Sequence, residues 1–131
     1  MANPQHRDLV RQAFTAWEQG DSRPFFRMVA DDVRWTVIGT TPLSGAHEGK
    51  RAFLAATAPF AERLAGPIKA KIVDVLDAGD KVVLQWEGSA EGTNGRPYRQ
   101  TYCWVMRLDG DQVAEVTAYL DTEMVNAMFA D

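Results

Sequence analysis

The sequence predicts an α+β fold, helices first and an antiparallel sheet after them, on three observations. Apolar residues recur at three- and four-residue steps through the first half of the chain. After Gly66-Pro67 the period changes to two. Tight-turn signals, Ala78-Gly79-Asp80, Thr93-Asn94-Gly95 and Asp109-Gly110-Asp111, then separate the later segments as in successive hairpins. The 131 residues suit one domain spanning 1–131, since domains commonly run to about 100–150 residues.

Over residues 5–19, Leu9, Val10, Ala13, Phe14 and Trp17 make one apolar face of an amphipathic helix, which Gly20 stops. Asp21 or Ser22 can cap a second, shorter helix to about residue 29, with Pro24 tolerated in its first turn. Asp31-Asp32 breaks that helix, and residues 33–38 read as a short strand. Residues 39–49, rich in Gly, Thr and Ser, read as a loop. A third helix is expected over 50–64, kinked by Pro59, which lacks an amide donor and crowds the carbonyl of Ala55. Four strands follow over 68–76, 81–90, 98–108 and 112–120, joined as an antiparallel meander. A short helix over 124–129 closes the chain.

Hydrophobic residues at 46% and charged residues at 24% describe a chain with a real core. A net charge of −4 speaks against nucleic-acid binding, which needs a surplus of Lys and Arg on one face. The lone Cys103 cannot form an internal disulfide, which suits a reducing compartment. The N-terminus is polar, without an apolar signal core, and no stretch approaches the roughly 20 apolar residues that cross a bilayer. A cytoplasmic protein without membrane contact is the expectation. Two His and one Cys, far apart, show no metal-ligand spacing, and no Gly-rich phosphate loop opens a helix. No metal and no cofactor are expected.

In the strand over 98–108 neither parity is cleanly polar. One carries Gln100, Tyr102, Trp104 and Met106; the other carries Thr101, Cys103, Val105 and Arg107. Both faces therefore need cover. Helices can supply one side and a second copy of the chain the other.

Four segments, in order, resemble the nuclear transport factor 2-like superfamily, and its SnoaL-like branch above all. They are Phe14-Thr-Ala-Trp17-Glu-Gln-Gly20-Asp21, Ala30-Asp-Asp-Val33-Arg-Trp35, Pro42-Leu-Ser-Gly45-Ala-His47-Glu-Gly49, and residues 109–121 ending Tyr119-Leu-Asp121. The resemblance implies a cone-shaped barrel of cystatin-like arrangement: a curved antiparallel sheet wrapped around the N-terminal helices, with an apolar pocket at the open end. It also implies a homodimer through the outer sheet face. The superfamily includes ketosteroid isomerases, epoxide-hydrolase-like enzymes, polyketide cyclases and non-catalytic binding domains, so fold alone does not decide function.

Each enzyme template makes a separate demand. The isomerase positions for a Tyr, a base Asp and an oxyanion Asp fall near Ala13 or Phe14, Val37 and Cys103, none of which does that proton chemistry. The epoxide-hydrolase triad lacks its Arg beside Glu87. The cyclase template asks for one acid at the end of the last strand, in apolar surroundings that raise its pKa, and Asp121 stands there. Asp121 equally suits the N-cap of the closing helix, which would lower its pKa instead.

Tyr119, on the same strand face as Asp121, and His47, in the loop bordering the pocket, are the candidate assistants in catalysis. Trp35, Tyr102, Trp104, Trp86 and Phe14 are the candidate ligand-binding residues, and each reads as well as a core aromatic. Three functions follow. The first is acid–base isomerisation, cyclisation or hydrolysis of a small apolar carbonyl compound. The second is a non-catalytic ligand carrier, and the third a dimeric protein-interaction module.

Overall fold

The computed structural model describes residues 4–130, so the outer limits of the 1–131 assignment lie outside the described residues. Helix α1 (Pro4–Glu18) forms where the periodicity places it. Gly20 ends it at φ 100°, a conformation costly for any residue with a Cβ, and the Asp21 amide donates back to the Ala16 carbonyl at 3.0 Å. Helix α2 (Arg23–Met28) follows with Pro24 in its first turn, where no amide donor is missed.

Strand β1 (Val29–Val37) begins directly after α2, four residues earlier than expected. Asp31 and Asp32 do not end a helix; they stand exposed within β1, at a register shift between Val29 and Arg34. Val29, Ala30 and Val33 are buried around them, and that burial holds the segment in the sheet. The expected loop over 39–49 contains a short strand, β2 (Gly45–Glu48), paired antiparallel to β1 with Trp35 opposite His47. It is mostly exposed and four residues long, so it carries no apolar alternation to read. Helix α3 (Lys50–Ala61) continues past Pro59 but stops three residues short of Leu64, which instead bridges to Gly92.

The meander is present as expected: β3 (Lys69–Asp77), β4 (Val82–Glu91), β5 (Pro97–Asp109) and β6 (Gln112–Leu120) pair antiparallel in sequence order. Strand β6 then lies parallel to β1, the one parallel pair among the described residues, in a curved, unclosed sheet of order β2-β1-β6-β5-β4-β3. Helix α4 (Thr122–Met128) closes the described chain. Among the described residues no helix is long and apolar enough to cross a membrane.

Alternation along β5 separates the two sheet faces. Tyr98, Gln100, Tyr102, Trp104, Met106 and Leu108 are buried, while Arg99 and Thr101 are exposed and Cys103, Val105 and Arg107 half-exposed. The helices cover the first face. The described residues of the second stay partly or fully exposed.

Helix α1 is pinned to the edge strand β3 and to Ile68 just before it by two hydrogen bonds. Trp17 Nε1 donates to the Ile68 carbonyl at 2.9 Å, and the Ile72 amide donates to Glu18 Oε2 at 2.7 Å. The second bond also engages an edge amide that would otherwise invite pairing with another chain. On β4, Gly88 leaves room for its neighbours: a Cβ there would lie 2.9 Å from Ile68 Cγ2, 2.9 Å from Tyr102 Cε2 and 3.2 Å from Trp86 Cζ3. Tyr102 is stacked on Trp86 at 4.1 Å and cannot retreat freely. Gly88→Ala is therefore expected to cost about 1–3 kcal/mol through overpacking, read as a lowered urea midpoint with unchanged slope.

Candidate functional site

A cavity of about 300 Å³ lies between α3 and the inner face of the sheet. Trp35 and Val37 of β1, Trp86 of β4, Tyr102 and Trp104 of β5, and Ala118 and Leu120 of β6 form its floor. Phe53, Leu54, Thr57, Phe60 and Ala61 of α3 form its roof, and Ser22, Phe26, Gly66, Pro67 and Ile68 border it as well. Roof spacing follows the helix: residues three and four apart share one face. All four tryptophans of the chain, with Trp17 among them, lie on this wall.

The wall is aromatic and nearly free of charge. Among the described residues lining it, Tyr102 is the one titratable side chain. Trp35 stacks on Phe53 at 4.1 Å, which joins floor to roof, and Trp86 stacks on Tyr102. Trp104 meets Trp35, Trp86 and Phe14 at interplanar angles of 84°, 82° and 87°. The buried indole N–H groups of Trp86 and Trp104 have no hydrogen-bond acceptor. Edge-to-face packing offers such donors the π faces of neighbouring rings in place of an oxygen.

Behind the wall runs a buried polar chain on β5. The Tyr98 and Tyr102 hydroxyls are 2.6 Å apart, and Gln100 Nε2 donates to Tyr98 at 3.2 Å. Gln100 also clamps the end of β6: its Nε2 donates to the Asp121 carbonyl at 2.8 Å, and its Oε1 accepts from the Asp121 amide at 2.7 Å. Burial raises the pKa of both tyrosines, that of Tyr102 well above 10, so both stay neutral phenols at physiological pH.

The residues singled out from the sequence divide into two groups. Trp35, Trp86, Tyr102 and Trp104 meet on the cavity wall. Phe14 stands one layer behind them, buried, with its ring 5.0 Å from Trp86 and 5.7 Å from Trp104. Asp121, Tyr119 and His47 do not line the cavity. In β6 the inward parity belongs to Val116, Ala118 and Leu120, which puts Tyr119 outside, at 46% exposure. Asp121 is the N-cap of α4, its carboxylate accepting from the amides of Glu123 at 3.0 Å and Met124 at 3.4 Å. His47 is half-buried on β2, its Nε2 2.8 Å from the Leu43 carbonyl; since a carbonyl only accepts, that nitrogen carries the proton. Leu43 is the wall residue there, and His47 sits behind it.

Sequence reasoning passed over Gln100 and Tyr98. The available signal was one amide among large aromatics on a single parity of β5, because a buried amide must find partners. Among the described residues no group of three or more His, Cys, Asp and Glu side chains could hold a metal ion.

Helices preceding a curved six-stranded sheet, with a hollow beneath the third helix, define a nuclear transport factor 2-like domain. The chain belongs to the SnoaL-like domain family, whose model matches residues 10–116. Solved structures share the fold at low sequence identity. Bal32a, from a soil-derived mobile gene cassette, is 21% identical, with a TM-score of 0.80 over 97% of this chain and 98% of its own. A protein of unknown function with a cystatin-like fold from Xanthomonas campestris is 23% identical, with a TM-score of 0.79 over 95% and 97%. IdmH of Streptomyces antibioticus, a candidate polyketide cyclase, is 18% identical, with a TM-score of 0.70 over 95% and 98%. No curated protein matches the sequence.

The cap geometry separates a structural role of Asp121 from a catalytic one. Asp121→Ala is expected to lower stability by about 1 kcal/mol, and Asp121→Asn, which keeps a capping oxygen, by only a few tenths. Thermal unfolding of the three proteins at neutral pH checks the order.

Proposed function

We propose that the protein binds a small, largely apolar molecule in the cavity beneath α3. The carrying observation is a hollow of about 300 Å³ walled by four tryptophans, three phenylalanines and one tyrosine, with no charged side chain among its described lining. Packed cores leave few voids of that size. The volume is at the small end of ligand sites, which suits a compact body of about one or two rings.

Tetralin is a suitable probe, because the indoles on the wall report its entry through tryptophan fluorescence. Saturable quenching or enhancement is expected. Thr57→Phe, which adds a ring to the roof, should weaken binding about tenfold and leave the unfolding midpoint almost unchanged. A titration with no fluorescence response, repeated by calorimetry with the same result, removes the binding reading.

A second reading is cofactor-free isomerisation or cyclisation of a carbonyl compound. Tyr102 favours it, as the one titratable group on the wall. In that reading the phenol takes the place of Asp121, whose carboxylate is engaged by two amides outside the cavity. Turnover of an enolisable ketone, followed as solvent deuterium uptake and abolished in Tyr102→Phe, would distinguish catalysis from carriage.

The uncovered sheet face supports a homodimer. Leu76, Val83, Val105 and Thr117 lie in one register row across β3 to β6, with Cys103 and Tyr119 adjacent in the next. Leu76 and Tyr119 are 44% and 46% exposed. Light scattering on a sizing column is expected to give twice the chain mass, and Val105→Lys to halve it. A wild-type mass of one chain at about 100 µM, well above the Kd of a stable dimer, rules this out. An unpaired Cys103 and the absence of any need for a bridge agree with a cytoplasmic setting.

A further inference from the structure

The buried polar chain on β5 has a direction, set by counting protons. Gln100 cannot be flipped. Its Oε1 accepts from the amides of Asp121 at 2.7 Å and Thr101 at 3.0 Å, groups that only donate. Its Nε2 faces the Asp121 carbonyl at 2.8 Å, which only accepts, and the Tyr98 hydroxyl at 3.2 Å. Both protons of Nε2 are thereby used, the second on Tyr98 oxygen.

Two arrangements of the hydroxyl pair remain. If Tyr102 donated to Tyr98, the Tyr98 proton would be left without an acceptor in a side chain that is fully buried. A buried hydroxyl proton without an acceptor costs about 1–3 kcal/mol. If Tyr98 donates to Tyr102, every group in the chain is satisfied except the Tyr102 proton. Tyr102, unlike Tyr98, lines the cavity. The missing acceptor then belongs to whatever occupies the hollow.

We propose that Tyr102 is the specificity-determining donor of this cavity, and that its ligand carries an acceptor oxygen, a carbonyl above all, on an otherwise apolar body. Tyr98 and Gln100 are positioning residues: they turn the Tyr102 proton toward the ligand and polarise it, since linked hydrogen bonds strengthen one another. Their tie to the Asp121 backbone explains why the end of β6 is held as part of the same chain. The proposal rests on reading the cavity as a ligand site, and it adds the polar half of the ligand to the apolar half already argued. Raised pKa values on both tyrosines agree with a neutral donor.

The test compares 2-tetralone with tetralin, two molecules of nearly one shape that differ by a ketone oxygen, using calorimetry on the full chain. The wild type is expected to bind the ketone about three- to tenfold more tightly, the effect of one net hydrogen bond. Tyr102→Phe should bring ketone affinity down to that of the hydrocarbon while tetralin binding persists, which also shows that the variant is folded. Tyr98→Phe should reduce the ketone preference in part and leave tetralin affinity as in the wild type. Equal binding of the two compounds by the wild type, or an undiminished ketone preference in Tyr102→Phe, overturns the donor assignment and leaves the cavity reading standing. Binding of neither compound by the wild type overturns the cavity reading, and this proposal with it.

Discussion

Phe14 holds the fold open by being where it is. Its ring lies 4.9 Å from Trp17, 5.1 Å from Phe25, 5.0 Å from Trp86 and 5.7 Å from Trp104, so it locks α1 and α2 onto the middle of the sheet. Aromatic pairs contribute about 0.5–1.5 kcal/mol each beyond the area they bury. With that end of the concave face filled, the remaining inner surface is left to α3. This helix meets the sheet through Trp35 and Phe53 at one side and leaves a hollow under the rest. A cavity that large survives because the cluster beside it carries the packing.

The hollow and the polar chain on β5 are two consequences of one alternation. Every second residue of β5 faces inward: Tyr98 and Gln100 are buried beneath α3 and α4, and Tyr102 and Trp104 reach the cavity. Gln100 alone in that row can satisfy both the amide and the carbonyl of one residue, and it does so at Asp121. The end of β6, the cap of α4 and the tyrosine pair thus form one connected unit. The acid at this end of the last strand is held by main-chain amides, and the one titratable side chain on the described cavity wall is a phenol.

Much of the fold was legible in the sequence because helix and strand periods are local properties. The four expected helices and the four late strands fall within a few residues of their expected places. The exceptions share a cause. Strand β2 is exposed and pairs only through backbone, so its side chains carry no pattern. The early start of β1 comes from Val29 and Ala30 being buried by the sheet, against the local signal of Asp31-Asp32. Its parallel pairing with β6 joins residues about eighty positions apart, and no turn between them announces it.

The candidate site shows the same division. Sequence by itself offered five aromatics for the wall, of which Trp35, Trp86, Tyr102 and Trp104 lie on it, while Trp17, Phe26, Phe53 and Phe60 join it without having been singled out. It also placed an acid at the end of the last strand. Only tertiary structure decided that Asp121 caps α4 and Tyr119 faces outward, because one step along a strand reverses the side of the sheet on which a residue stands. It likewise decided that Phe14 packs behind the wall and that the Tyr102 hydroxyl meets that of Tyr98. Those outcomes depend on which partner each polar atom meets across the fold, a relation that no local pattern encodes.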